Sequence, residues 1–361
     1  MEFASIPEID TPALVIDLDA HERNLRRVAD YFAARPCDLR PHVKTHKCST
    51  IARRQVEMGA IGVTCAKVGE AEAMADGGIT SILIANQVTA ASKIHRLAAL
   101  AGRCELMVAL DDVNNARAIG QAATQAGTTV GVLVEIDTGM RRCGLAPDPA
   151  QAVAFAKAVL PVDGLRFRGL MGYEGHTVMI EDDAERRAKA SEAGRQLGAC
   201  AQAVRDAGID VQIVSGGGTG TYDISGDSGV FTEIQAGSYV FMDARYHGIQ
   251  PELETALFMV STVVSLARGD LVTLDCGMKS LTHEFGQPPV VSPSGLGPVG
   301  LSEEHGRCAI EGGTCDLKLG DQVWLLPTHC CTTANLHDRY WCVRDGRLVG
   351  TWAIDARGRF D

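Results

Sequence analysis

The sequence predicts an α/β protein: a (β/α)₈ TIM barrel followed by a second, smaller C-terminal β domain. Three observations predict it. Apolar runs of strand length alternate with helical segments at roughly the 25 to 30 residue spacing of a parallel architecture. Eight such runs fall before residue 250, the number that closes a barrel. Beyond about residue 249 helical periodicity fades, and β-branched stretches set among Gly and Pro take over. An open doubly wound sheet is the rival arrangement of the same alternation.

In chain order, Ala13-Leu-Val-Ile16 reads as a short strand. Asp19 and Glu22 then have the spacing of a capping box, and Leu25, Val28, Ala29 and Phe32 form one helical face. The eight barrel runs lie at Leu39 to Val43, Gly62 to Val68, Ser81 to Ala85, Leu106 to Leu110, Val130 to Ile136, Phe167 to Tyr173, Val211 to Val214 and Glu233 to Ala236. Segments rich in Ala, Arg and Gln separate most of them, as at Ala184 to Ala207. Leu257 to Ala267 reads as a buried strand of the second domain, with Val260 to Val264, Leu271 to Leu274 and Val323 to Leu326 as its β-branched stretches. Trp324, Trp341 and Trp352 are expected in its core. The boundaries are set at 18–248 for the barrel and 249–361, completed by 1–17, for the β domain.

Composition narrows the function. Hydrophobic residues make up 46% and charged residues 22%, which are globular proportions. No apolar run approaches the roughly 20 residues of a bilayer span, and nothing at the N-terminus resembles a secretory signal. The formal charge of −11, from 34 basic and 45 acidic residues, disfavours nucleic acid and anionic membranes as partners. Twelve scattered cysteines fit reduced thiols in a cytoplasmic enzyme.

In a barrel the C-terminal strand ends form the active face, so each run is asked what it delivers. Arg40-Pro-His-Val-Lys44-Thr-His-Lys47 ends the first run with a lysine, a side chain that forms an imine with an aldehyde cofactor when its amine is neutral. His46 and Lys47 are read as orienting that loop. The fifth run ends in Arg141-Arg142-Cys143-Gly144 and the sixth in Tyr173-Glu174-Gly175-His176. The seventh and eighth run into Ser215-Gly-Gly-Gly-Thr219-Gly220 and Gln235-Ala-Gly237-Ser238-Tyr239. Two successive glycine loops at that place suit a phosphate, because backbone N–H groups approach an anion closely where side chains are absent. Lysine for the aldehyde and glycines for the phosphate make pyridoxal 5′-phosphate a coherent ligand.

A second constellation, Thr328-His329-Cys330-Cys331, lies in the β domain. On an extended segment His329 and Cys331 point to the same side, a spacing that permits imidazole and thiolate to share one divalent ion with room left for substrate and water. A buried thiol beside a structural histidine is the plainer reading of that pair. Asp275 reads as a turn residue, and His305 is a further candidate to reach the site.

Taken together these stretches resemble the metal-activated D-threonine aldolase and D-serine dehydratase group of fold type III pyridoxal-phosphate enzymes, whose fold is alanine racemase-like. The resemblance runs from Thr11-Pro-Ala-Leu-Val-Ile-Asp through Lys44, Arg142-Cys-Gly and both glycine loops to Ala356-Arg-Gly. It implies that Lys44 carries the cofactor as an internal aldimine, with Thr219, Gly220, Gly237 and Ser238 around the phosphate, to which the hydroxyl of Tyr239 is a further candidate donor by its place on the second loop. Arg142 and Tyr173 would lie near the pyridine ring. His329 with Cys331 would bind the ion, zinc or manganese with magnesium also admissible, in a homodimer. Two departures stand out. Cys331 sits where the aldolases often carry aspartate, and His176, the candidate for the histidine that acts on the substrate hydroxyl, falls a few residues early.

The implied activity is that of a lyase on D-3-hydroxy amino acids, a D-threonine aldolase giving glycine and an aldehyde, with His176 or water on the metal as base. A D-serine or D-threo-3-hydroxyaspartate dehydratase is the alternative, and the products from D-threonine separate the two. An amino-acid racemase needs an opposed tyrosine, for which Tyr340 is badly placed after the metal motif. A non-catalytic carrier of the cofactor has no use for a Lewis acid.

Overall fold

The computed structural model describes residues 5–312 and 315–361. The chain forms two compact units. The larger comprises Val28–Lys44, Ser49–Gly237 and Gly358–Asp361; the smaller comprises the residues through Arg27, Thr45–Cys48 and Ser238–Arg357.

The larger unit holds an eight-stranded parallel sheet in the order Asp38–Leu39, Glu233–Ile234, Ile213–Gly216, Leu165–Gly172, Val130–Glu135, Glu105–Leu110, Ser81–Ile84, Val63–Cys65. Each of the eight apolar runs contributes one strand. The two ends of this order also meet: His42 and Thr64 form a parallel bridge, and the Thr64 N–H donates to the Pro41 carbonyl at 2.9 Å. The sheet therefore curls round on itself as the barrel prediction requires. A buried ion pair holds the first strand to its neighbour, Arg40 Nε donating to Glu233 Oε2 at 2.9 Å, while Arg40 Nη1 reaches Ser81 Oγ at 3.0 Å. Leu83, Met107, Ala109, Leu133, Met171 and Ile213 pack as a buried cluster contributed by successive strands. Strands buried on both faces carry unbroken apolar runs, which is why the sequence displayed them so openly.

Helices separate the strands, among them Val113–Ala126, Pro149–Val159 and Asp183–Asp206, capped by Asp112, Asp148 and Asp182 respectively. Arg168 reaches over the intervening strand to Glu105, 2.6 Å away, and passes Gly131, where a Cβ would stand 3.3 Å from its Cγ.

The smaller unit is built on a mixed sheet. Leu257–Ser265 pairs antiparallel with Ala13–Asp17, Gln322–Leu325 and Leu271–Leu274. Ala13–Asp17 pairs in parallel with Arg339–Arg344, which turns back into Arg347–Ala353. Trp324 is buried in the core with Val15, Phe258 and Val260, whereas Trp341 and Trp352 are only half-buried, since they lie on the outer pair of strands.

Two local readings change. The helix Leu18–Ala33 is capped by Asp17, not Asp19: Asp17 Oδ1 accepts the N–H groups of Asp19 at 3.0 Å and Ala20 at 3.2 Å. Asp17 is the last residue of an extended strand and can fold back over the first turn, and Glu22 pairs with Arg344 instead. Asp275 is more than a turn residue. Its carboxylate accepts from Ser261 Oγ and Thr11 Oγ1 at 2.6 Å each and from the Thr262 N–H at 2.9 Å.

Candidate active site

Lys44 sits on the 3₁₀ turn Val43–Thr45, just past the first barrel strand, with its N–H directed to His42 Nδ1 at 3.3 Å. Its Nζ lies 5.6 Å from the centroid of the Tyr173 ring, and Arg142 Cζ lies 5.9 Å from the same centroid. Tyr173 directly follows the strand Leu165–Gly172. The turn bearing Arg142 is organised by Asp137, whose Oδ1 accepts the N–H groups of Gly139 and Arg141 at 2.9 Å each. His176 is exposed and its ring lies against Gly139: a Cβ there would come within 2.5 Å of Cε1. The predicted Lys44, Arg142 and Tyr173 are thus gathered around one aromatic ring, and His176 lies against the turn that carries Arg142.

The first glycine loop extends this surface. A Cβ on Gly218 would stand 3.2 Å from Tyr173 Cε2, and one on Gly220 would sit 2.0 Å from the Val178 carbonyl oxygen. Gly217 has φ +75°, a conformation that favours glycine. The loop runs so close to the ring and to the neighbouring backbone that side chains have no room. Thr219 and Gly220 are buried in it. Glu174, which the sequence reading did not single out, lies beneath the loop and accepts hydrogen bonds from Gly217, Thr221 and Ser225. On the second loop Gly237, Ser238 and Tyr239 are buried at the 3₁₀ turn Ser238–Val240 after the last barrel strand.

In the smaller unit His329 caps the short helix Cys330–Ala334, so Cys331 stands on a helical turn and not on the extended segment expected from spacing. The turn arises because Asp243, capping Ala244–His247 with one oxygen, accepts the Cys330 N–H at 3.1 Å with the other. Imidazole and thiol remain partners there. Burial disfavours charge on His329, but hydrogen bonding to Cys331, the charges of Cys331 and Asp243, and Glu284 outweigh it and push its pKa up to about 9. His329 Nδ1 bonds to Glu284 Oε1 at 2.8 Å, which fixes the ring and leaves its other nitrogen to face elsewhere. Cys331 Sγ lies 3.3 Å from Thr45 Oγ1 and 3.9 Å from Ser238 Oγ. Thr45 adjoins Lys44 in the chain, and Ser238 adjoins Gly237. The structure offers a soft N/S donor pair in a place that already favours positive charge, which suits a divalent ion. Among the described residues no group of three or more His, Cys, Asp or Glu is arranged to hold a metal.

Tyr340 is fully buried and donates its hydroxyl to the His46 carbonyl at 2.7 Å, leaving it no role as an opposed base. His46 Nδ1 accepts the Cys48 N–H at 3.1 Å, and the Lys47 carbonyl accepts from Ala356 at 2.9 Å, so both residues order the first loop. His305 is exposed on the turn between Gly300–Leu301 and Gly306–Ala309.

Comparison with known proteins bears on this arrangement. The family model "Alanine racemase, N-terminal domain" matches residues 16–245, and "Putative serine dehydratase domain" matches residues 256–343. A D-threonine aldolase from Arthrobacter sp is 39% identical, with 98% of this chain and 94% of that protein aligned. The chain belongs to the fold type III pyridoxal-phosphate enzymes, in the D-threonine aldolase and D-serine dehydratase group. Another member of this group, a 3-hydroxy-D-aspartate aldolase from Paracoccus denitrificans (strain Pd 1222), is also 39% identical over 98% of this chain and 93% of its own length. The crystal structure of D-threonine aldolase from Filomicrobium marinum superposes with a TM-score of 0.95 at 40% identity, covering 99% of both chains. Dehydratase members are more distant: the D-threo-3-hydroxyaspartate dehydratase of Delftia sp. (strain HT23) is 29% identical over 95% of this chain. The group membership and barrel fold expected from sequence are both present.

Proposed function

We propose that this protein is a pyridoxal 5′-phosphate and divalent-metal-dependent lyase, a D-threonine aldolase that cleaves D-3-hydroxy amino acids into glycine and an aldehyde. One observation carries the choice: the identity of 39–40% to aldolases over nearly the whole chain, against 29% to a dehydratase of the same group. When bound, the cofactor supplies an electron sink for the pair released at the substrate Cα, and the ion supplies a Lewis acid for the 3-hydroxyl.

The chain's own residues divide the remaining work. Lys44 provides the amine that takes the cofactor aldehyde, and the face of Tyr173 with Arg142 bounds the ring position. Thr219, Gly220, Gly237, Ser238 and Tyr239 take the phosphate, in a cradle that a Cβ at Gly218 or Gly220 would fill. His329 and Cys331 take the ion. His176 accepts the proton of the 3-hydroxyl as the Cα–Cβ bond breaks; the hydroxyl carbon leaves as aldehyde and Cα is reprotonated to glycine. The reading includes a cytoplasmic homodimer with a barrel over 18–248, and no helix among the described residues is long and apolar enough to cross a membrane.

Cys331 favours a second reading, dehydration. One solved D-threo-3-hydroxyaspartate dehydratase structure is a cysteine-to-alanine mutant in the metal-free form, and another is a histidine-to-alanine mutant two positions earlier, the spacing of His329 and Cys331. Incubation of the cofactor- and metal-loaded enzyme with D-threonine decides between them. Glycine with acetaldehyde is the expected outcome; 2-oxobutanoate with ammonia overturns the aldolase reading.

A further inference from the structure

Glu174 places a carboxylate that is 1% exposed directly beneath the first glycine loop, a costly location next to a site meant for an anion. Its surroundings show what holds it there. Oε2 accepts the Gly217 N–H at 3.2 Å; Oε1 accepts the hydroxyls of Thr221 at 2.8 Å and Ser225 at 2.7 Å. The Thr221 hydroxyl in turn accepts the Gly218 N–H at 3.3 Å, while the Thr221 N–H donates to the Gly218 carbonyl at 3.1 Å. All three groups on the carboxylate are donors, so it acts purely as an acceptor, and the N–H groups of Gly217 and Gly218 are turned inward to this buried network.

Two consequences follow for the loop. The inward amides of Gly217 and Gly218 direct the phosphate to the far limb, Thr219 and Gly220. The reversal at Gly217, with φ +75°, is tied to the end of the strand that also delivers Tyr173. We propose that Glu174 is a positioning residue that pre-shapes the Gly217–Gly220 loop for the cofactor's phosphate, through Thr221 and Ser225, without touching the cofactor. This rests on the cofactor reading above. The inference makes an unusual demand: removing a negative charge beside an anion site must weaken anion binding, because loss of shape outweighs relief of repulsion.

The test compares two ligands on apoprotein. Wild type, Glu174→Gln, Thr221→Val and Ser225→Ala are titrated with pyridoxal 5′-phosphate and with pyridoxal, which lacks the phosphate, by absorbance and fluorescence. Thermal melting of each apoprotein accompanies the titrations. Glu174→Gln is expected to weaken pyridoxal phosphate by about tenfold or more and pyridoxal by less than about twofold. Thr221→Val and Ser225→Ala are expected to show smaller losses of the same phosphate-selective kind, and they carry the test if Glu174→Gln does not fold. Variants that bind pyridoxal phosphate as tightly as wild type, or that lose both ligands in parallel, overturn the proposal alone. Wild-type protein that takes up neither ligand overturns the cofactor reading and this inference with it.

Discussion

The Nζ of Lys44 faces the ring of Tyr173 at 5.6 Å from its centroid, and the guanidinium of Arg142 faces the same ring at 5.9 Å. A cation over an aromatic face gains about 0.5–1 kcal/mol at accessible sites, so Tyr173 restrains two long, flexible side chains at once. Lys44→Ala is expected to abolish the visible chromophore and its trapping by borohydride, with turnover down by at least about 10³-fold. Tyr173→Phe, which keeps the face, should retain more cofactor affinity than Tyr173→Ala. Equal losses in the two variants would show that the hydroxyl and not the ring does the positioning.

Glycine at 220 is required by space. A Cβ there would stand 2.0 Å from the Val178 carbonyl oxygen, a backbone atom that cannot swing aside. Gly220→Ala should therefore lower stability by about 1–3 kcal/mol and weaken pyridoxal phosphate binding. Melting temperature and cofactor titration measure both, and an alanine variant indistinguishable from wild type would contradict the close approach.

Glu284 holds His329 by its Nδ1 and also meets the hydroxyl of Thr332. A carboxylate in that position orients a metal-binding imidazole and raises its basicity. Glu284→Gln should weaken zinc about 10–100-fold in chelator competition, while His329→Ala and Cys331→Ala should remove tight binding altogether. Cofactor uptake by the barrel should survive all three changes.

Arg168 holds the carboxyl of Glu105 below its usual range, first through the direct hydrogen bond between them. A depressed carboxylate stabilises the fold above its unfolded pKa of about 4.3 and loses that contribution as pH falls through the lower folded value. Glu105 is half exposed, so the effect is at most about 1 kcal/mol. Arg168→Gln should be less stable than wild type at pH 7, with the gap closing below about pH 4 in denaturant titrations.

The legible part of this molecule was the part written in single segments. Eight buried parallel strands announce themselves as apolar runs, and Lys44 and the glycine loops sit at their ends. The supporting residues were hidden because their partners are distant in sequence. Glu174 meets Ser225 across 51 positions and Glu284 meets His329 across 45, and neither carboxylate stands in a pattern that marks it out. The helix cap moved from Asp19 to Asp17 for a related reason: where the strand Ala13–Asp17 ends is decided by its pairing with Leu257–Ser265, not by local spacing. The same distance effect hid the bonds from Thr11, Ser261 and Thr262 to Asp275.

That early strand has a bearing on how the protein is made. Ala13–Asp17 is made before the barrel strands, yet the strands it lies between, Leu257–Ser265 and Arg339–Arg344, are synthesised after every barrel strand through Ile234. This strand must wait, unpaired, while the barrel strands are made. A chain truncated before residue 339 keeps all the barrel strands but leaves this strand with one edge permanently open, an edge on which aggregation begins.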